Sequence, residues 1–196
     1  MPRLSLALPE GGGLDPRSLF GDLGVTDVGL EVGFGGGEHL AAQAATNPRR
    51  GFIGCEPFLN GVVNLVDVIE REHLSNVRLF MGDARRVLAA LVPDSLACVW
   101  VLFPDPWPKL RHAKRRFIEP ATLDLLARVL KSGATLRCAT DVPDLAVWMR
   151  DHLNAHPRFV REYDAPSPPP DHVPTRYERK ALLAGRVPTY LEYRRP

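Results

Sequence analysis

The sequence predicts an α/β fold: one domain built on a doubly wound, mostly parallel sheet with helices on both faces. Three observations predict it. Short apolar runs alternate with stretches of helical periodicity between residues 28 and 140, the pattern of right-handed βαβ units. A glycine-rich turn, Gly33 to Gly37, follows the first apolar run. Acidic residues then stand at the carboxyl ends of successive runs, the edge at which such sheets bind ligands.

Residues 1–27 show no periodicity and read as a short N-terminal segment, with Gly11 to Gly13 giving a flexible start. Residues 28–196 form the domain proper. Strands are expected near 28–33, 51–56, 77–81, 96–104 and 133–140. Helices are expected near 36–46, 58–73, 84–91 and 119–131. In the last helix Pro120 suits a first-turn position, Leu123, Leu126, Val129 and Leu130 recur at helical spacing, and Gly133 lies just past the end. Residues 165–174 are Pro-rich and read as an extended connector. The C-terminal segment 175–196 resumes order with a helical piece near 176–184 and a strand from Thr189 to Arg194.

Composition narrows the function classes. Of 196 residues, 45% are hydrophobic and 24% charged, ordinary values for a globular chain. The formal net charge of +2 means that a nucleic-acid surface would be a local patch. Cys55, Cys98 and Cys138 are odd in number and form no C-x-x-C, which points to a reducing, cytoplasmic setting with buried thiols and no metal site. The start MPRLSLALPEGGG is too short and Pro-broken for a signal peptide. The longest apolar run, Leu96 to Phe103, is too short to span a bilayer, so no membrane partner is expected. A monomer and a homodimer both fit.

The glycine turn L-E-V-G-F-G-G-G, residues 30–37, lets the backbone bend sharply and approach a ligand, with Gly33 and Gly35 at its centre. The dinucleotide fingerprint would need a third glycine where Glu38 stands, and a carboxylate there suits a cationic ligand better than a pyrophosphate. Glu56 ends the second strand about twenty residues on, the spacing of a carboxylate that accepts ribose hydroxyls. Asp83 ends the third and could meet an adenine amino group. Each acid alone is as well explained as a helix cap. Together Glu31, Glu56, Asp83 and the glycines describe an acid-lined, phosphate-free pocket, a match for S-adenosylmethionine.

After the fourth strand comes L-F-P-D-P-W-P-K-L-R-H-A-K-R-R, residues 102–116. Prolines on both sides hold Asp105 in an extended backbone, with Trp107 either packed under the turn or stacking a base. Lys109, Arg111, Lys114, Arg115 and Arg116 follow with no acid among them, and at the ligand edge of a sheet they read as a phosphate-binding rim. Asp141 closes the fifth strand. Thr175 to Glu178, T-R-Y-E, has the spacing of a helix capping box.

The combination resembles the bacterial tRNA (guanine-N7)-methyltransferases from Leu30 to Arg194. It rests on E-V-G-F-G-G-G, G-C-E-P at 54–57, G-D-A at 82–84, F-P-D-P-W-P-K with R-H-x-K-R-R, A-T-D at 139–141 and T-R-Y-E-x-K. The resemblance implies a class I methyltransferase, Rossmann-like fold with its last strand antiparallel, and methylation of a guanine in the variable loop of tRNA. It implies cofactor contacts at Glu31, Glu56, Asp83 and Asp105, and substrate contacts at Lys109, Asp141, Thr175, Arg176, Tyr177 and Glu178. It departs at the N-terminus, where 29 residues precede Leu30 and the family carries a longer basic extension.

Guanine N7 presents a lone pair and no proton at neutral pH, so its methylation needs alignment and charge support rather than a general base. Asp105 is the expected source of that support. Two other readings share the sheet: a nicotinamide-dependent oxidoreductase, disfavoured by Glu38, and an RNA-binding module without chemistry, disfavoured by the complete set of pocket acids.

Overall fold

The computed structural model describes residues 4–196. The first three residues of the expected N-terminal segment therefore lie outside the described residues. Seven strands form one mixed sheet in the order β3-β2-β1-β4-β5-β7-β6. They are β1 (Asp27–Val32), β2 (Arg50–Cys55), β3 (Val77–Phe80), β4 (Leu96–Leu102), β5 (Leu130–Thr140), β6 (Val160–Ala165) and β7 (Thr189–Arg194). The first five run parallel, and β7 is antiparallel to both β5 and β6. Helices α1 (Glu38–Thr46), α2 (Leu59–Arg71), α3 (Ala84–Ala90), α4 (Pro120–Val129), α5 (Pro143–Ala155) and α6 (Arg176–Leu183) complete the fold.

Burial on both faces makes the central strands continuous apolar runs rather than alternating ones. Val28, Leu30, Val99, Val101 and Leu136 face one core layer with α3, α4 and α5. Phe52 and Trp100 face the other, against Leu40 of α1 and Leu65 of α2. The three thiols are buried, and burial pushes Cys98 and Cys138 up to about 12.

Several local expectations change. α5 and β6 were not foreseen from the sequence. Gly133 does not end a helix: α4 stops at Val129, β5 starts at Leu130, and the Gly133 N–H donates to the Arg195 carbonyl at 2.7 Å. The N-terminal segment is sewn to the sheet edge. The Leu6 N–H donates to the Leu79 carbonyl at 2.8 Å, the Leu79 N–H to the Leu4 carbonyl at 2.7 Å, and Leu6 and Phe20 enter the core. Among the described residues no helix is long and apolar enough to cross a membrane.

The strand order reverses between β1 and β4. A doubly wound sheet opens a crevice at that point, beyond the carboxyl ends of its strands.

Candidate active site

A cleft of about 610 Å³ lies at that switch point, walled by the glycine turn after β1 and by the ends of β2, β3 and β4, with α6 above. Glu56 is its best-fixed acid. The residue is 4% exposed. One carboxylate oxygen accepts the Gly35 N–H at 2.9 Å and the other the Phe58 N–H at 3.0 Å. Each oxygen keeps a second lone pair for a ligand hydroxyl. Gly35 has φ +56°, a conformation L side chains rarely adopt. Gly61, in the first turn of α2, lies so close that a Cβ there would sit 2.3 Å from the Gly35 carbonyl oxygen. The glycine turn, Glu56 and the start of α2 thus form one interlocked wall.

Asp83 and Asp105 supply the other acids. Asp83 caps α3 by accepting the Arg85 N–H at 2.9 Å, and its second oxygen pairs with Arg85 Nη1 at 3.1 Å. Asp105 is exposed and lines the cleft. It sits between two residues with positive φ, Phe103 at +51° and Trp107 at +42°. Such bulky residues each pay about 1–3 kcal/mol of backbone strain, which persists only where surroundings over-determine the turn. Trp107 lies in the cleft wall, with the Arg115 guanidinium 4.8 Å from its ring centroid and His112 edge-on.

Glu31 is placed differently from the expectation. It does not line the cleft. Alternation along β1 turns it to the opposite core layer, where it meets His39 Nδ1 at 2.7 Å with both side chains 3% exposed. Gly33 and Gly35 do line the cleft. Lys109, Arg111 and Lys114 are exposed beyond it, and Arg115 lines it. Arg116 does not join that rim: it is buried, and its guanidinium is turned inward onto the Pro106 and Trp107 carbonyls.

Asp141 is paired with Arg186 at 2.6 Å, away from the cleft wall. Thr175 and Glu178 form the capping box of α6, and both are buried rather than presented to a ligand. The Glu178 carboxylate also accepts Tyr190 Oη at 2.6 Å and meets His172 Nε2 at 2.6 Å. Those bonds aim the intervening residues outward: Arg176 and Tyr177 line the cleft, and the Tyr177 ring edge lies 3.0 Å from where a Gly35 Cβ would stand.

Sequence reasoning missed Phe58, Asn60 and Asn64, all in the cleft wall, where Lys180, the last residue of T-R-Y-E-x-K, also lies. A signal existed for the asparagines, which recur one turn apart in the N-terminal half of the helix. Among the described residues no histidine lines the cleft.

A family model described as "Putative methyltransferase" matches residues 26–190. The tRNA (guanine-N(7)-)-methyltransferase of Paramagnetospirillum magneticum is 50% identical, with 100% of this chain and 83% of the relative covered. The protein of the same description from Azorhizobium caulinodans is 48% identical, covering 100% and 85%. The solved 16S rRNA methyltransferase KamB shares the fold at a TM-score of 0.66 and 18% identity, with 93% of this chain and 95% of that chain covered.

Proposed function

We propose a function from one premise: the chain belongs to the tRNA (guanine-N(7)-)-methyltransferase family. It transfers a methyl group from S-adenosylmethionine to N7 of a guanine in the variable loop of tRNA, in the cytoplasm. The observation that carries this reading is one cleft holding both a ribose-type acid, Glu56, and a strained acidic turn, Asp105.

The donor set fits the cofactor. The Gly35 N–H, which a pyrophosphate would need, is already given to Glu56, and three carboxylates line the cleft. That chemistry disfavours a dinucleotide and favours a nucleoside carrying positive charge. S-adenosylmethionine, when bound, supplies an electrophilic methyl group on a sulfonium sulfur.

Glu56 accepts ribose hydroxyls, and Asp83 faces the adenine amino group. Asp105 orients the guanine and offsets the positive charge that grows on its ring. Lys109, Arg111, Lys114 and Arg115 contact tRNA phosphates, while Arg176 and Tyr177 approach the substrate from the cleft wall; Asp141, paired with Arg186 outside that wall, holds Arg186 rather than the substrate. Thr175 and Glu178 act by holding Arg176 and Tyr177 in place. Guanine N7 carries no proton at neutral pH, so the reaction asks the cleft for alignment and charge support rather than a base.

The test is incubation of pure protein with unmodified tRNA and S-adenosylmethionine, followed by mass analysis of the nucleosides. 7-Methylguanosine at a single site is expected. Methylation of adenine, or of guanine at another atom, overturns the reading.

A further inference from the structure

One cation of the basic run is taken inside the protein. Arg116 is 7% exposed, whereas Arg111, Lys114 and Arg115 face solvent. Its Nε donates to the Pro106 carbonyl at 3.1 Å and its Nη2 to the Trp107 carbonyl at 3.4 Å. Its guanidinium carbon lies 4.7 Å from the centroid of the Trp148 ring. Trp148 is itself fixed, with Nε1 donating to the Ile118 carbonyl at 2.6 Å and the ring stacked on His152 at 4.0 Å. Among the described residues Arg116 has carbonyl and indole partners but no carboxylate.

A guanidinium suits this place because its planar fork can reach two carbonyls while one face rests on an aromatic ring. Both carbonyls belong to the turn that carries Asp105, and Trp107 within it has φ +42°. That conformation needs an external hold. The clamp also continues to the neighbouring wall. Arg85 donates from Nη2 to the Arg116 carbonyl at 3.0 Å and from Nη1 to Asp83 at 3.1 Å. Two arginines in series therefore link the acids at the ends of β3 and β4.

We propose that Arg116 is a positioning residue for methyl transfer, holding the Pro106 and Trp107 carbonyls so that Asp105 stays in the cleft. It is not a phosphate contact, although it lies in the most basic segment of the chain. Arg85 ties this clamp to Asp83. The proposal rests on the methyl-transfer reading above.

Arg116→Lys separates the two roles. A phosphate contact tolerates lysine, which keeps the charge. A positioning clamp does not, because an ammonium cannot span two carbonyls and lie flat on Trp148. Under the proposal, kcat at saturating tRNA falls by about tenfold to a hundredfold while the tRNA KM changes by less than about threefold. The slope of log tRNA affinity against log salt stays at the wild-type value, whereas Lys114→Ala lowers it by roughly 0.7–0.9. Near-wild-type kcat in Arg116→Lys overturns the proposal.

A second measurement needs no variant. Phenylglyoxal labelling of the wild-type protein, mapped by mass spectrometry with and without tRNA, should modify Arg111 and Arg115 in the free protein and spare them in the complex. Arg116 should stay unlabelled in both. Labelling of Arg116 in the free protein, with protection by tRNA, overturns the proposal even if the variant does not fold. Absence of turnover by the wild type fails the methyl-transfer reading instead, and the labelling pattern then still decides where Arg116 points.

Discussion

The Glu56 carboxylate accepts the Gly35 N–H at 2.9 Å, closing the glycine turn onto the end of the second strand. The same side chain accepts the Phe58 N–H at 3.0 Å, so one acid fixes the backbone on two sides of the cleft while keeping lone pairs for a ligand. Under the proposed function, local order and cofactor recognition would therefore be coupled at a single residue.

Glu56→Ala removes charge-assisted hydrogen bonds worth about 1.5–3 kcal/mol to a bound nucleoside, so affinity for S-adenosylhomocysteine should fall roughly ten- to a hundredfold. Calorimetric titration checks this. An unchanged affinity in a folded variant would remove Glu56 from the cofactor site.

Asp105→Asn keeps the size of the side chain and removes its negative charge. Methyl transfer should fall by on the order of a hundredfold, with thermal stability retained because Asp105 is exposed. The wild-type single-turnover rate should lack the tenfold rise per pH unit that a titrating base gives between about pH 6 and 8. A rise of that steepness would contradict a base-free reaction.

Gly61→Ala tests the interlock between α2 and the glycine turn. A Cβ at 2.3 Å from the Gly35 carbonyl oxygen meets backbone rather than a flexible side chain, so α2 or the turn must move. Overpacking of this kind costs about 1–3 kcal/mol, which corresponds to a melting point lowered by roughly 3–10 °C in a chain of this size. Cofactor affinity should fall with it. A variant that melts and binds like wild type would show that the two segments have slack.

Asp164 ties β6 to α5. Arg150 donates to both its oxygens at 2.6 and 2.8 Å, with Arg161 at 3.3 Å, and the Arg150 hydrogen bonds hold its carboxyl below the usual range. A carboxyl depressed in the folded state adds stability above its unfolded pKa and loses it as pH falls through the folded value. Asp164→Asn should therefore lower the melting point at pH 7, and the gap to wild type should be smaller at pH 3, below the ordinary Asp value of about 3.9. Parallel melting curves at both pH values would show that the pair adds nothing.

How far the sequence could be read depends on where each residue points. The strands β1 to β5 were legible because burial on both faces leaves uninterrupted apolar runs ending in glycine or an acid. β6 was not, since five of its six side chains, in V-R-E-Y-D-A, are polar or face outward at the sheet edge. α5 did carry a signal in Leu145, Ala146, Met149 and Leu153, all buried.

The site shows the same division. Glu56, Asp83 and Asp105 were legible as acids at strand ends. Glu31 sits at a strand end too, but on the face that alternation turns toward His39. Glu178 was legible as a cap, and its buried bond to Tyr190 depends on a contact twelve residues away in sequence. Arg116 looked like its neighbours because sequence records charge and not direction. The one hint is that it adjoins Phe117 and Ile118, both buried.

The phosphate rim should consist of Lys109, Arg111, Lys114 and Arg115. All four are exposed, and the 3-10 helix Leu110–Arg115 carries the last three on one short turn beside the cleft. In a chain of net charge +2 this is a concentrated cationic surface, and binding through it releases counterions from the tRNA. Each phosphate contact contributes roughly 0.7–0.9 to the slope of log affinity against log salt. Removing Arg111 and Lys114 together by alanine should flatten that slope by about 1.4–1.8 if each makes one contact, and affinity at low salt should fall with it. Affinity for S-adenosylhomocysteine should not change, because neither residue lines the cleft. Filter binding over a salt series measures both quantities. A slope and affinity equal to wild type would make this run an ordinary solvated face, and the rim would then be sought at Arg176, Arg179 and Lys180 on α6.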